Sequence, residues 1–506
     1  MKRQILNVIT FLRGSEPRNP AADLFKPLKK QVKLLQKYNL PATFLFQYDA
    51  LLRSDFVKEV KNKPCFELGV WMEMNKPHVL AAGIDWTGRF NWDWHAYCAM
   101  TAGYDNKQRE KLVDAIFEKF KATFGYYPRV MGAWALDAYT LQYANSRYGI
   151  DAYCICKDQW GTDGYNLWGG YYGQAYYPCK LNAFTPAQDK DNQISVPVFR
   201  MLGSDPILQY DFKLDPKVGA AMQGVITLEP VYSRDGGGGK KKWVDWYMSE
   251  NYNGKCLAFG YAQAGQENSF TWRKMRRGIK YQFPLFNELR KQGKIEVETL
   301  GDSGRWFKAN FSETPATAIV AQNDWTNSGA KSIWYDCKRY RLNLYSDASG
   351  TFRIRDFYLF DQAYSERYLN EKCFDNNLTY DNLPIMDGLR YSGDGLFAGI
   401  YFLRDGKQLK CSEFVYSEKG ENAIIDIKTT TDDSILMTLT PNSITIDGKN
   451  ICIKPAFSQK AKDVVSAKVN NNVLNFKYNG YEYSLISENR YNDDYSLCGD
   501  HIKVKL

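Results

Sequence analysis

The sequence predicts an α/β protein: a closed or nearly closed (β/α) barrel of seven or eight strands over residues 1–308, then a β-sandwich over residues 309–506. Three observations predict this. Short apolar runs alternate with amphipathic helical stretches through the first part of the chain, the pattern of a parallel sheet covered by helices. From about residue 310 helical periodicity gives way to short strand patterns separated by turn signals such as DGK and YNGY. The 506 residues, 44% of them hydrophobic, suffice for two or three domains with their own cores.

Taken in order, QILNVITF at 4–11 reads as a strand, and 23–38 follows as a helix with apolar residues three and four apart. ATFLFQ at 42–47, a helix at 51–61 and FELGVW at 66–71 repeat the alternation. Residues 105–124 form the clearest helix, stopped by Gly125 as a C-terminal cap. RVMGAW at 129–134, a helix at 137–148 closed by Gly149, and DAYCIC at 151–156 continue the series. Residues 157–195 are an insertion rich in Gly, Tyr, Trp and Pro. VITL at 225–228 and CLAFGYA at 256–262 resume the strands; a helix at 270–292 and IEVET at 295–299 end them. Beyond, RYRLNLYSD, TFRIRDFYLF and NNVLNFKYNGYEYSLI read as strands and hairpins of an accessory antiparallel sandwich.

Composition narrows the function. The net charge of +9 is spread; its densest runs are KKK at 240–242 and RKMRR at 273–277, the second of which reads as the solvated face of a helix. A nucleic-acid protein gathers its charge into a stripe or a known module, and none is present, so nucleic acid is not an expected partner. No run of 18 apolar residues exists, so no membrane span is expected. The 11 cysteines are odd in number and scattered, with Cys154 and Cys156 poorly spaced for zinc, which favours reduced thiols and a cytoplasmic location. The opening MKRQILNVITFL is too polar for a complete signal peptide, although a trimmed one would leave the same chain.

In a parallel barrel the loops after the strands form the active site. After the first strand come Arg13, Glu16 and Arg18; around the third, Trp71 and Glu73; after the fourth, Trp134 and Asp137. After the fifth come Asp158 and Asp163, later Glu229, and after the last well-marked strand Gln266 and Glu267. Polar residues, many of them acids, thus gather at one end of apolar strands. Grouped acids shift each other's pKa values, and one protonated plus one ionised carboxyl are the parts that glycosidic cleavage needs. Asp137 also stands where a helix begins, so helix capping competes for it. The insertion carries several rings, Trp160 and Trp168 among them, with the flat faces on which sugars stack. Only three histidines exist, His78, His95 and His501, which supplies a catalytic triad or a histidine-rich zinc site poorly.

PATFLF, FELGVW and YYPRVMGAW–LD–YTLQYANSRYGIDAY, in this order, resemble the polysaccharide-deacetylase and family-57/family-38 glycoside hydrolase superfamily. The resemblance covers about residues 4–300 and implies an irregular seven-stranded (β/α) barrel, often followed by β-rich domains. It also implies that WALD carries the nucleophile, Asp137, where family-57 hydrolases have a Glu. The family's acid/base implies Glu229 or Glu267; GQENSFTW is similar to the D-G-E-x-F-G segment, while Glu229 has the cleaner strand-end position. The deacetylase branch needs an Asp pair after its first strand and a His-x-x-x-His metal pair; TFLRG and WMEMNKPHV depart from both.

The expected function is therefore a glycoside hydrolase acting on a carbohydrate, with no metal and no cofactor. Asp137 is the expected nucleophile or base, Glu229 or Glu267 the acid, and Glu73 a third working carboxylate. Arg13, Glu16, Arg18, Trp71, Trp134, Asp158, Trp160, Asp163, Trp168 and Gln266 are expected to hold the sugar. Two rivals stand beside it. A non-catalytic sugar-binding protein on a decayed barrel would show its acids paired with arginines, and a metal-dependent deacetylase would need unusual ligands.

Overall fold

The computed structural model describes residues 2–506 except 163, 221, 432 and 465. The first region holds β1 (Gln4–Leu12), β2 (Ala42–Phe46), β3 (Phe66–Trp71), β4 (Val130–Ala133) and β5 (Ala152–Cys156). There follow β6 (Gln159–Thr162), β7 (Tyr165–Trp168), β8 (Ala175–Tyr176), β9 (Val198–Met201), β10 (Gly260–Ala264) and β11 (Glu296–Glu298). The main sheet runs β10-β1-β2-β3-β4-β5-β9-β8, with β11 also on β1. Every pair is parallel except β8 with β9.

Eight parallel strands result, one more than the seven that the resemblance implies, and they curl without closing. β9 and β10 face each other across the opening, where the Leu202 amide donates to Gln263 Oε1 at 3.3 Å. β2, β4, β5, β9 and β10 are buried along their whole length, as strands covered on both faces must be. The helix Asn106–Phe124 packs beside β3 and buries Leu112, Val113, Ile116, Phe117 and Phe120. A reciprocal Asp105–Gln108 capping box starts it, and Gly125 stops it at φ 91°, a conformation that suits glycine.

One predicted strand is corrected. VITL at 225–228 makes only an isolated bridge, Ser204 to Thr227; the strand beside β5 is β9, VFRM. Arg200 interrupts the apolar pattern of β9, and it is buried only because Asp158 neutralises it at 2.7 Å.

The second region is one 15-stranded antiparallel sheet wrapped around its own apolar core, where two stacked sheets were expected. Its strands alternate: in Asn422–Thr429, Ala423, Ile425 and Ile427 point inward. Cys452 and Cys498, cross-strand neighbours in it, form a disulfide, a correction to the all-reduced expectation; the other nine cysteines are free. The two regions are stitched together. Leu378–Asp381 pairs in parallel with β7, forming a three-stranded sheet with β6. Among the described residues no helix is long and apolar enough to cross a membrane.

Candidate active site

A cleft of about 320 Å³ opens at the C-terminal ends of the parallel strands. β1 delivers Arg13, Glu16 and Arg18; β3 delivers Glu73; β4 delivers Trp134; β10 delivers Glu267, Ser269 and Phe270. The segment after β9 adds Glu229 and Tyr232, and the loop at 91–95 adds Trp92 and Trp94.

Local structure explains why the β1 loop can hold Arg13 still. Gly14 lies so close to Asp49 that a Cβ would sit 2.6 Å from its carbonyl carbon. Asn268 grips the Arg13 backbone from β10's loop, accepting from its N–H at 2.8 Å and donating to its carbonyl at 3.0 Å. The guanidinium then stacks on Trp92, 4.0 Å from the ring centre.

Arg13 is the hub of the acids. Its Nη2 lies 3.2 Å from Glu73, and its Nη1 lies 3.3 Å from Glu267 Oε2 and 3.5 Å from Glu16. Glu73 also accepts from Gln47 Nε2 at 2.7 Å and Trp71 Nε1 at 3.1 Å. Glu229 accepts from Thr227 Oγ1 at 2.9 Å and Gln266 Nε2 at 3.0 Å. Arg13, Glu73, Glu229 and Glu267 are each no more than 5% exposed.

The electrostatics separate the acids. Burial pushes the Glu267 carboxyl above the ordinary glutamate range, and the neighbouring Glu73 charge adds to this; Arg13, Ser269 and Arg18 pull the other way without prevailing. Burial also acts upward on Glu16, but there the Arg18 hydrogen bonds and the Arg13 and Arg18 charges prevail and lower it. Two buried polar atoms of the cleft lining lack a full hydrogen bond: Trp92 Nε1 has no partner, and Glu267 Oε2 has only ion-pair contact with Arg13 Nη1 at 3.3 Å, without hydrogen-bond geometry. Buried polar atoms are rarely left so, and a bound hydroxyl-bearing ligand would satisfy both.

The other sequence-predicted residues lie elsewhere or act indirectly. Asp137 does not line the cleft. It is fully buried at the start of the helix Ala138–Tyr148, accepting from the Thr140 N–H at 2.8 Å, Thr140 Oγ1 at 2.7 Å, Arg109 Nη1 at 3.1 Å and Thr101 Oγ1. It caps the helix and neutralises a buried arginine, which corrects the expected nucleophile. Asp158 is likewise saturated, by Arg200, Arg341 and the Gly169 amide, so it is no sugar ligand. Trp168 is fully buried against Tyr210 and Trp160 packs edge-on to Trp168; neither lines the cleft. Asp163 lies outside the described residues. Trp71 and Gln266 sit behind the cleft and orient Glu73 and Glu229.

Sequence reasoning passed over Trp92 and Trp94. The signal was the alternating NWDWHAY, in which Asp93, held by Arg89 at 2.9 Å, faces away from the two indoles that line the cleft. Among the described residues no group of three or more His, Cys, Asp or Glu side chains is arranged to hold a metal. The acids converge instead on a guanidinium, so the residues do not fit the metal of the deacetylase branch.

No family model matches the chain, and no curated protein does. Solved structures do. A provisionally assigned glycoside hydrolase/deacetylase from Parabacteroides distasonis superposes with a TM-score of 0.55 at 15% identity, covering 75% of this chain and 90% of its own. A provisionally assigned polysaccharide deacetylase from Mycobacterium smegmatis gives a TM-score of 0.37 at 12% identity over 61% of this chain and 91% of its own. A family-57 branching enzyme from Thermococcus kodakaraensis gives 0.30 at 9% identity over 62% and 72%. The first of these likenesses establishes a shared fold.

Proposed function

We propose that this protein is a carbohydrate-active enzyme that hydrolyses glycosidic bonds, with Glu267 as the acid and Glu73 as the opposing base or nucleophile. The observation that carries this reading is the pair of buried carboxyls on one guanidinium: Glu73, fixed by Gln47 and Trp71 as well, and Glu267, whose pKa burial raises. Sharing Arg13 keeps the two carboxyls close, as two-carboxylate mechanisms, which use separations of roughly 5–9.5 Å, require. Glu229, held by Gln266 and Thr227, and the rings of Trp92, Trp94 and Trp134 position the sugar. The shared fold with a provisionally assigned glycoside hydrolase/deacetylase supports the substrate class.

In the reaction Glu267 donates its proton to the leaving oxygen through Oε2. Glu73, fixed by Arg13, Gln47 and Trp71, either attacks the anomeric carbon or takes a proton from the attacking water. Incubating wild type, Glu267→Gln and Glu73→Gln with a panel of aryl glycosides tests this. Turnover by wild type and its loss in both variants is the expected result; undiminished turnover in either variant removes that residue from the mechanism.

One observation favours a second reading, a non-catalytic sugar-binding protein: Glu16, Glu73 and Glu267 all contact arginines. That reading predicts oligosaccharide binding by wild type with no turnover on any glycoside. The Cys452–Cys498 bridge further supports an oxidising compartment over the cytoplasm.

A further inference from the structure

The basic run RKMRR belongs to the helix Trp272–Lys291, whose first residues border the cleft. Arg273, Lys274, Arg276, Arg277 and Lys280 are all exposed, and among the described residues none of them is ion-paired. Their position runs against helix stability. The positive end of a helix favours acids, yet the first turn of this one contains no acid and two cations, Arg273 and Lys274. A surface that only needed solubility would carry mixed charges there.

Helical spacing lines these groups up with the cleft. Residues 274, 277 and 281 are three and four apart, so they share one face of the helix. Phe270 and Lys274 line the cleft itself. Arg277 is next along, and Tyr281 then meets Lys241, whose Nζ lies 4.9 Å from its ring centre. Asp245, the acid at this end, is engaged by the Tyr281 hydroxyl. A basic track therefore leaves the cleft along Lys274, Arg277 and Lys241. Inside the cleft, Trp92 Nε1 is a buried donor with no acceptor, 1% exposed with its residue.

We propose that the cleft and this track bind a polyanionic glycan, one whose sugars carry carboxylate or sulfate groups. The inference names the substrate class of the site described above and rests on its being a sugar cleft. Lys274 would take the anionic group of the sugar at the cleft mouth; Arg277 and Lys241 would take those of sugars extending outward. Free diffusion of such a chain to the cleft would be steered by the same charges and weakened by salt.

Binding without turnover tests it. Retardation of the protein in gels containing dextran sulfate, polygalacturonate or neutral dextran would be compared for wild type, Lys274→Gln/Arg277→Gln and Lys291→Gln/Lys294→Gln. The last pair removes the same charge from the far end of the helix and the turn just beyond it, and controls for bulk electrostatics. Wild type should bind at least one polyanion about tenfold or more tighter than dextran. The 274/277 variant should lose most of that preference while the 291/294 variant keeps it. The polymer retained separates sulfate from carboxylate recognition. Equal affinity for dextran, or equal loss in the two variants, would overturn the proposal. Because no cleavage is read, inertness toward every glycoside would remove the hydrolase reading alone.

Discussion

Two buried arginines organise two clusters of acids, and they do so in opposite ways. Arg341 binds Asp356 at 2.8 Å through Nε and again through Nη2, and its Nη1 reaches Asp158 and the Gly170 carbonyl. Asp158 also takes Arg200, and Asp356 takes the Tyr210 hydroxyl. This knot pins the insertion to the antiparallel sheet, with short bonds that use up its acids. Arg13 stands 3.2–3.5 Å from its three glutamates, and its 3.3 Å contact with Glu267 Oε2 lacks hydrogen-bond geometry. Charge-assisted bonds at full strength are shorter than that. In the cluster that holds the fold the carboxylates are saturated, although Arg200 Nε and Nη1 are not; in the other the carboxylate of Glu267 is held loosely, as a group left with something to bind would be.

The largest effect should come from breaking the saturated knot. Arg341→Ala strands Asp158 and Asp356 in the interior, and such losses cost about 3–5 kcal/mol. Urea denaturation should show that loss. A drop below about 1 kcal/mol would mean that the acids find other partners and that the knot is not what joins the two regions.

Glu267→Gln should do the reverse. General acid catalysis contributes roughly 10²–10⁴-fold, so turnover should fall by that factor. Stability should hold or rise, since a neutral amide suits a buried position where burial already disfavours the charge. A large stability loss with activity intact would place Glu267 among structural acids. Asp137→Asn belongs with the first cluster. The side chain can still cap its helix, but Arg109 loses its counter-charge, so about 2 kcal/mol of stability should go, with kcat per folded molecule unchanged.

These contrasts also explain what was legible in the sequence. Arg13, Glu73, Glu229 and Glu267 stood out because each follows an apolar run, where packing gives no reason for a charge. Asp137 and Asp158 stood out for the same reason and were misread, because the partners that satisfy them are distant: Arg109 lies 28 residues away and Arg341 183. An acid's environment cannot be read from its own neighbours in the chain. The strand around Arg200 was missed for the converse reason, since a buried arginine breaks the apolar pattern and its counter-ion is again remote. The count of seven belonged to the resemblance: the chain's own pattern already included IEVET at 295–299, and the structure places it as the short β11 beside β1.

The finest test of the two clusters is pH. Glu267 has its pKa raised on folding, so the folded state holds that proton more tightly than the unfolded one. Its contribution to stability is fully present below the ordinary glutamate range and is lost as pH climbs through the raised value. Wild type should therefore lose stability relative to Glu267→Gln across that window, and the two curves should run parallel outside it. The alkaline limb of kcat/KM should fall in the same window, because Glu267 must carry its proton to act as the acid. Glu16 has the opposite sign. Its pKa is lowered, so its contribution is present above the ordinary range and lost as pH falls through the depressed value. A stability difference between wild type and Glu267→Gln that grows on acidification would mean Glu267 is held as a carboxylate by Arg13, and the Arg13 cluster would then be as saturated as that of Arg341.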